Sequence, residues 1–274
     1  MPIICYKKKM KIITLLDNLT YKTGLSGEHG FSLYLQKDNI KILFDCGQSK
    51  KFIENANILG INISEIDLVI LSHGHFDHTG GLKDFISINK KAKILLKKEA
   101  LKEKYKNNKF IGFPFNPELF KERFIFLDKN YLIDDEAIVI TDIKIYNKND
   151  THFKDFYIKE NDNFSPDNFN DEIFLLIKIN NKANIISGCS HRGITNIIEN
   201  VKEMGIKEIN SVIGGFHISE ENYENILKIA DYFTKNKVTK ILASHCTGVE
   251  SYAILKRELK DKISYNFTGN DILI

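Results

Sequence analysis

The chain of 274 residues predicts an α/β fold, two mixed sheets packed face to face with helices on the outer faces. Three observations carry this. Short apolar strands alternate with amphipathic helical stretches along most of the chain. Each half opens on a hairpin, "FSLYLQKDNIKILFDCG" and then "EIFLLIKINNKANIISGC", and continues in strand and helix units. The strands of both halves end repeatedly in His, Asp or Cys, as expected of a site assembled at the carboxyl ends of sheet strands.

In order, Met10 opens "MKIITLLDN" as a natural domain start, with residues 1–9 as a loose extension. The first hairpin turns at Asp38-Asn39. "SKKFIENANILGI" sets Phe52, Ile53, Ala56 and Leu59 at helical spacing, and Gly60 stops the helix. The apolar run 66–71 is a buried strand, and "GLKDFISI" is a short helix after it. Residues 97–170 are rich in Lys, Asn and Phe, hold three of the 4 prolines and lack sustained periodicity. They read as an insertion that covers substrate, within a single domain spanning 1–274. The second hairpin turns at Asn180-Asn181. "GITNIIENVKEMG" follows as a helix with Ile194, Ile197, Ile198 and Val201 on one face. Then come the strand "INSVIGGFH", the helix "ENYENILKIADYFTK", the strand "VTKILASHC", the helix "GVESYAILKRELKDK" and a last short strand.

Composition narrows the function. Hydrophobic residues make up 43% of the chain and mean hydropathy is -0.23, which suits an ordinary soluble core. No apolar stretch approaches the ~20 residues needed to cross a bilayer, and "MPIICYKKKM" is no secretory signal. The net charge of +3 is small, and "YKKKMK" and "KKEALKEKYKNNK" read as solvated faces. The 4 cysteines form no CxxC pair, as expected of reduced thiols. The expectation is a cytoplasmic protein with neither a nucleic-acid nor a membrane partner; homo-oligomerisation stays open.

The chemistry concentrates in "LSHGHFDHTGG", which places His73, His75, Asp77 and His78 directly after a strand and uses three of the 8 histidines. Clustered imidazoles and a carboxylate at a strand end are metal ligands in aspect. "NIISGCSH" adds Cys189 and His191, "SVIGGFH" adds His217, "ILASHCTG" adds His245, and "FNDEIF" places Asp171 before a strand. Imidazole with carboxylate suits Zn first, with Mn or Fe as alternatives. The number of ligands exceeds what one tetrahedral ion needs, so two divalent ions about 3.5–4 Å apart are expected. Whether Asp171, Cys189 or His217 is a ligand stays open.

Two glycine-containing turns, "GCSHRGIT" and "HCTGVES", lead into helices and offer backbone N–H groups to anions, with Arg192 and Thr247 beside them. They favour a small anionic substrate, and His29 in "GEHG" faces the same rim. Gly214 and Gly215 let the backbone near His217 approach the site closely. His217 is therefore expected as proton donor to the leaving group, and His191 as a ligand.

With its later strand-end ligands, the motif His73-x-His75-x-Asp77-His78 resembles the metallo-β-lactamase superfamily. "GEHGFSLYL", "KILFDCGQS", "LSHGHFDHTGGL", "ISGCSHRGITNII", "IGGFH" and "SHCTG" together resemble its branch of 7,8-dihydropterin-6-methyl-4-(β-D-ribofuranosyl)aminobenzene-5'-phosphate synthase-like proteins. The resemblance implies an αββα sandwich and a dinuclear hydrolase. It implies that His73 and His75 hold the first metal, and that Asp77, His78 and His245 hold the second. Asp171 stands where many relatives have His. Cys189 stands where they have a bridging Asp, and His191 is favoured over it as the ligand. A metal-activated hydroxide, oriented by Asp77, would attack a phosphorylated or cyclic-phosphate, pterin-related substrate. Thioester or lactam hydrolysis and a degenerate ligand-binding sensor are the alternatives. His75 in place of Glu argues against the di-iron, oxygen-reducing relatives.

Overall fold

A computed structural model describes residues 10–274, so the expected extension over 1–9 and Cys5 lie outside the described residues. Both hairpins form as the turn chemistry requires. Strands Ser32–Lys37 and Ile40–Phe44 pair antiparallel across Asp38, which takes φ 52°; Phe174–Ile179 and Lys182–Ser187 pair across Asn180 and Asn181, at φ 51° and 63°. Asp and Asn tolerate this left-handed conformation better than other residues with a Cβ.

The first sheet runs Asp271–Leu273, Met10–Leu16, Ser32–Lys37, Ile40–Phe44, Leu68–Ile70, Lys93–Leu96 and Phe124–Phe126. The second runs Ile263–Tyr265, Lys240–Ala243, Glu208–Gly214, Lys182–Ser187, Phe174–Ile179, Ala137–Ile140 and Tyr131–Leu132. Leu33, Phe44, Ile70 and Leu95 of the first pack with Leu175, Ile186, Ile213 and Leu242 of the second, forming the layer between the sheets. Helices Lys51–Ile58 and Leu82–Ile88 bury Phe52, Ile53, Leu82 and Phe85 against the outer side of the first sheet. Ile194–Glu203, Tyr223–Lys235 and Val249–Leu259 do the same on the second with Ile197, Val201, Ile229, Phe233 and Leu255. The fold is the expected αββα sandwich.

Strand register decides where the site lies. Three neighbouring parallel strands end level, with Ser187 beside Gly214 and Gly214 beside Ala243. In the first sheet Phe44 pairs with Ile70. Parallel strands in register deliver their following loops to one edge, so Asp45, His73, Cys189, His217 and His245 reach a common rim.

The stretch 97–170 differs from the expected insertion. Phe124–Phe126 completes the first sheet, and Tyr131–Leu132 and Ala137–Ile140 complete the second. The remainder builds a third, four-stranded sheet, Asn163–Pro166, Phe156–Glu160, Glu103–Lys106 and Lys109–Phe110, beside the rim. Its strands are short, and the 163–166 strand is exposed along its length, so periodicity could not reveal it. Among the described residues no helix is long and apolar enough to cross a membrane.

Candidate metal centre

The rim carries a cavity of about 260 Å³. His29, His75, Asp77, Cys189, His217, His245 and Cys246 line it, and Phe76, Lys106, Ile111 and Phe156 wall it from the side of the third sheet. Beneath it, ligand atoms of His73, His75 and His191 lie within 4.8 Å of one another. The Nε2 atoms of all three are buried and lack a hydrogen-bond partner. A buried polar atom without a partner costs about 1–3 kcal/mol, so three converging on one point call for an electron-pair acceptor. A divalent cation fits that position.

The three imidazoles of this floor are in the right state for it, whereas at His78 burial is outweighed by Asp45 and Asp77, which raise its affinity for the proton. Burial, together with His78 and the adjoining His75, holds His73 well below its ordinary range; burial holds His75 down to about 3 and His245 to about 4. Neutral imidazoles keep a lone pair for a metal. Neighbouring side chains fix their aim. Ser72 Oγ lies 2.9 Å from His73 Nδ1, and the Phe169 ring stacks on His191 at 3.8 Å. Glu172 accepts hydrogen bonds from the His191 and Arg192 N–H groups at 2.6 and 2.8 Å, and burial pushes its carboxyl up to about 7.

Asp77, His78 and His245 form the other flank. Asp77 Oδ2 lies 3.1 Å from His245 Nε2, 3.2 Å from His29 Nε2 and 3.7 Å from His78 Nε2. Burial opposes the Asp77 carboxylate, but the surrounding imidazoles outweigh it and hold the group well below its usual range. Asp45 Oδ2 lies 2.7 Å from His78 Nδ1 and accepts from Ser72 Oγ at 2.7 Å. Asn18 Oδ1 lies 2.9 Å from His245 Nδ1. A carboxylate behind a histidine sets its tautomer and ring plane, leaving Nε2 for the ion. His78 Nε2 is 3.1 Å from Cys189 Sγ.

The structure brings together His29, His73, His75, Asp77, His78, Cys189, His191, His217 and His245. It separates three other expected site residues and revises one role. Asp171 is engaged elsewhere: its carboxylate accepts from the Gly74 N–H at 2.8 Å and from Lys104 Nζ at 3.0 Å, so it anchors the motif turn and lies outside the converging ligand atoms. Arg192 spends its guanidinium on the Ile143 and Asn168 carbonyls and on Asn170 Oδ1, away from the cavity, so it is a brace and not an anion contact. Thr247 is buried and its Oγ1 accepts from the Phe216 N–H at 3.1 Å, which removes it as a substrate contact. Burial and His152 hold His217 well below the ordinary histidine range, a poor state for the expected proton donor.

Sequence reasoning missed Asp45, Glu172, Asn18, His152, Lys106, Phe156 and Cys246 as parts of the site. Asp45 alone carried a signal, since it ends the strand in "KILFDCG" as His73 ends its own. The others come from segments whose register only the fold reveals.

Residues 25–143 match the family model for the metallo-β-lactamase superfamily. An uncharacterized protein of Methanocaldococcus jannaschii is 34% identical over 94% of this chain and 98% of its own length. A second protein of that organism, named 7,8-dihydropterin-6-methyl-4-(β-D-ribofuranosyl)-aminobenzene-5'-phosphate synthase, is 30% identical over 96% of each chain. The crystal structure of a metal-dependent hydrolase of the β-lactamase superfamily superposes with a TM-score of 0.85 at 33% identity, covering 96% of this chain and 98% of that one. Fold, rim histidines and these likenesses agree: the chain belongs to the metallo-β-lactamase superfamily.

Proposed function

We propose that the protein is a dinuclear metal-dependent hydrolase of a small phosphorylated or cyclic-phosphate substrate. The observation that carries this reading is the set of buried, unpartnered Nε2 atoms of His73, His75 and His191 on the cavity floor. Those three would hold one ion, and Asp77, His78 and His245, with Cys189 at hand, the other. Bound there, zinc-class ions would supply a Lewis acid for a phosphoryl oxygen and a nucleophile from water at neutral pH.

The chain's own residues do the rest. Asp45 holds His78 by Nδ1, and Asn18 holds His245. Asp77 keeps a negative charge among imidazoles, and His29, whose side chain is 56% exposed, stands 3.2 Å from it. Phe156 and Phe76 offer apolar walls to a flat ring. Lys106 Nζ, 5.1 Å from the Phe156 ring centroid and 3.4 Å from the exposed Glu220 carboxylate, would offer its positive charge to an anionic group that displaces Glu220. The 5'-phosphate and dihydropterin in the name of the M. jannaschii relative support this substrate class.

That name also favours a second reading, in which the cavity makes a phosphorylated dihydropterin compound and does not cleave one. Metal-loaded protein assayed on aryl phosphodiesters, thioesters and lactams tests the first. Phosphodiesters are expected to turn over fastest. Full metal content with no hydrolysis of any of them leaves the second reading, and a clear lactam preference overturns the substrate class.

A further inference from the structure

We propose that Cys189, Cys246 and His217 form a separate, thiolate-containing metal position on the cavity wall, taking a soft divalent ion of the zinc and cadmium class. Cys189 Sγ, Cys246 Sγ and a ring nitrogen of His217 lie within 4.8 Å of one another, and all three residues line the cavity. An ion with bonds of about 2.3 Å to sulfur and 2.0 Å to nitrogen holds such atoms roughly 3.5–4 Å apart, so small side-chain adjustments close the trio around it. The free side of the ion then faces the cavity.

Four further observations support the assignment. The Nδ1 atom of His217 is buried and has no hydrogen-bond partner. The His217 backbone N–H donates to Cys246 Sγ at 3.3 Å, which fixes the sulfur beside the imidazole. The backbone is shaped to admit the sulfur: a Cβ at Gly215 would stand 2.5 Å from Cys246 Sγ, and Gly214 takes φ 135°, so only glycines fit this strand exit. His217 itself adopts φ 49°, an uncommon conformation for a histidine, which turns its ring toward the thiols and onto His191 at 4.1 Å.

The chemistry differs from that of the flanking sites. Three imidazoles, or imidazoles with a carboxylate, suit several divalent metals, whereas two thiolates with one imidazole select soft ions. Cys189 stands between the two kinds of site. Its sulfur also lies within 4.8 Å of ligand atoms of His73 and His78, so one thiolate can be shared. Ions filling the thiolate position would be retained differently from those on the histidine floor.

Cadmium titration of chelator-stripped protein, kept reduced, reads this position without any turnover. A near-ultraviolet cadmium–thiolate band is expected in the wild type. Cys246→Ser should lose one equivalent of cadmium and about half of the band, since one of two thiolates is gone. His217→Ala should lose the same equivalent while keeping both thiols, which covers the case in which Cys246→Ser does not fold. Cys46→Ser, a buried free thiol under the first sheet's helices, should change nothing. Metal uptake without a thiolate band, or full band and stoichiometry in both Cys246→Ser and His217→Ala, overturns the proposal. Failure of the hydrolase reading shows as absent turnover with this band intact, so the two are separable.

Discussion

On one flank of the cavity floor His73, His75 and His191 meet through bare Nε2 atoms, packed against Phe169 and Phe156; on the other, His78 and His245 are already braced by Asp45, Asp77 and Asn18. The first flank is neutral and unsatisfied, and the second brings its own negative charge. A cation on the first flank relieves unmade hydrogen bonds. On the second it meets one such atom, His245 Nε2, beside the Asp77 carboxylate at 3.1 Å, and displaces the contact of His78 Nε2 with Cys189 Sγ. The difference predicts that the two flanks respond differently to the same kind of damage.

The largest effect is expected from the ligands themselves. His73→Ala and Asp77→Ala should each reduce hydrolysis to background while the folded state survives, because the αββα core stands on its own packing. Plasma emission analysis should show His73→Ala depleted at the histidine flank. A fully active, metal-replete His73→Ala would erase the distinction between the flanks.

Lys104→Met comes next. Lys104 is buried with Asp167 at 2.5 Å and Asp171 at 3.0 Å, and Asp171 in turn holds the Gly74 N–H between His73 and His75. Burial opposes the lysine's charge, but Asp171 and Asp167 outweigh it and raise its affinity for the proton. Removing the ammonium leaves two carboxylates facing each other out of water, which costs about 3–5 kcal/mol. Urea melts should show it, and metal should weaken first at the histidine flank. Adding Asp167→Asn should restore part of the loss.

Asp45→Asn sharpens the comparison from the other side. It removes the carboxylate behind His78 and should weaken metal on the Asp77 flank by 10–100-fold. The histidine flank, which Asp45 reaches only through Ser72 Oγ behind His73, should lose less affinity in competition with a chelating dye. Smallest of all, Lys106→Ala should raise KM for a phosphorylated substrate by about fivefold, the worth of one half-exposed charge contact, with metal content unchanged. Arg192→Ala should lower stability and leave KM alone, since its guanidinium binds backbone carbonyls.

Much of the sandwich was legible in the sequence because its signals are local. Asp38 and Asn180 mark turns, and Ile194, Ile197, Ile198 and Val201 mark a helix face, whatever surrounds them. The motif histidines were legible for the same reason, being close in sequence. Asp171 misled because its neighbourhood in "FNDEIF" says nothing of Lys104, 67 residues away. Arg192 misled because a helix start beside a metal motif looks like an anion site until the Ile143 and Asn168 carbonyls are seen to occupy it. Cys246 and His217 became partners only through the parallel register of Glu208–Gly214 with Lys240–Ala243.

The third sheet is fastened to the motif turn at several points. Gly74 packs so tightly on the Ala100 carbonyl, just before the sheet, that no side chain fits, and Asp171, which holds its N–H, is tied to the sheet by Lys104 at 3.0 Å. The Phe76 N–H donates to the Ile111 carbonyl at 2.9 Å, and Ile111, Phe156 and Phe169 share an apolar cluster. Raising this cover would break the Phe76–Ile111 hydrogen bond, at about 1 kcal/mol, and the buried Lys104–Asp171 pair, and would also wet the cluster. Traffic therefore runs through a fixed doorway. On the proposed reading, a molecule too broad to pass Phe156, Lys106 and His29 on the cavity lining would be turned away before its chemistry is tried, and widening the range of substrates would mean recutting that frame.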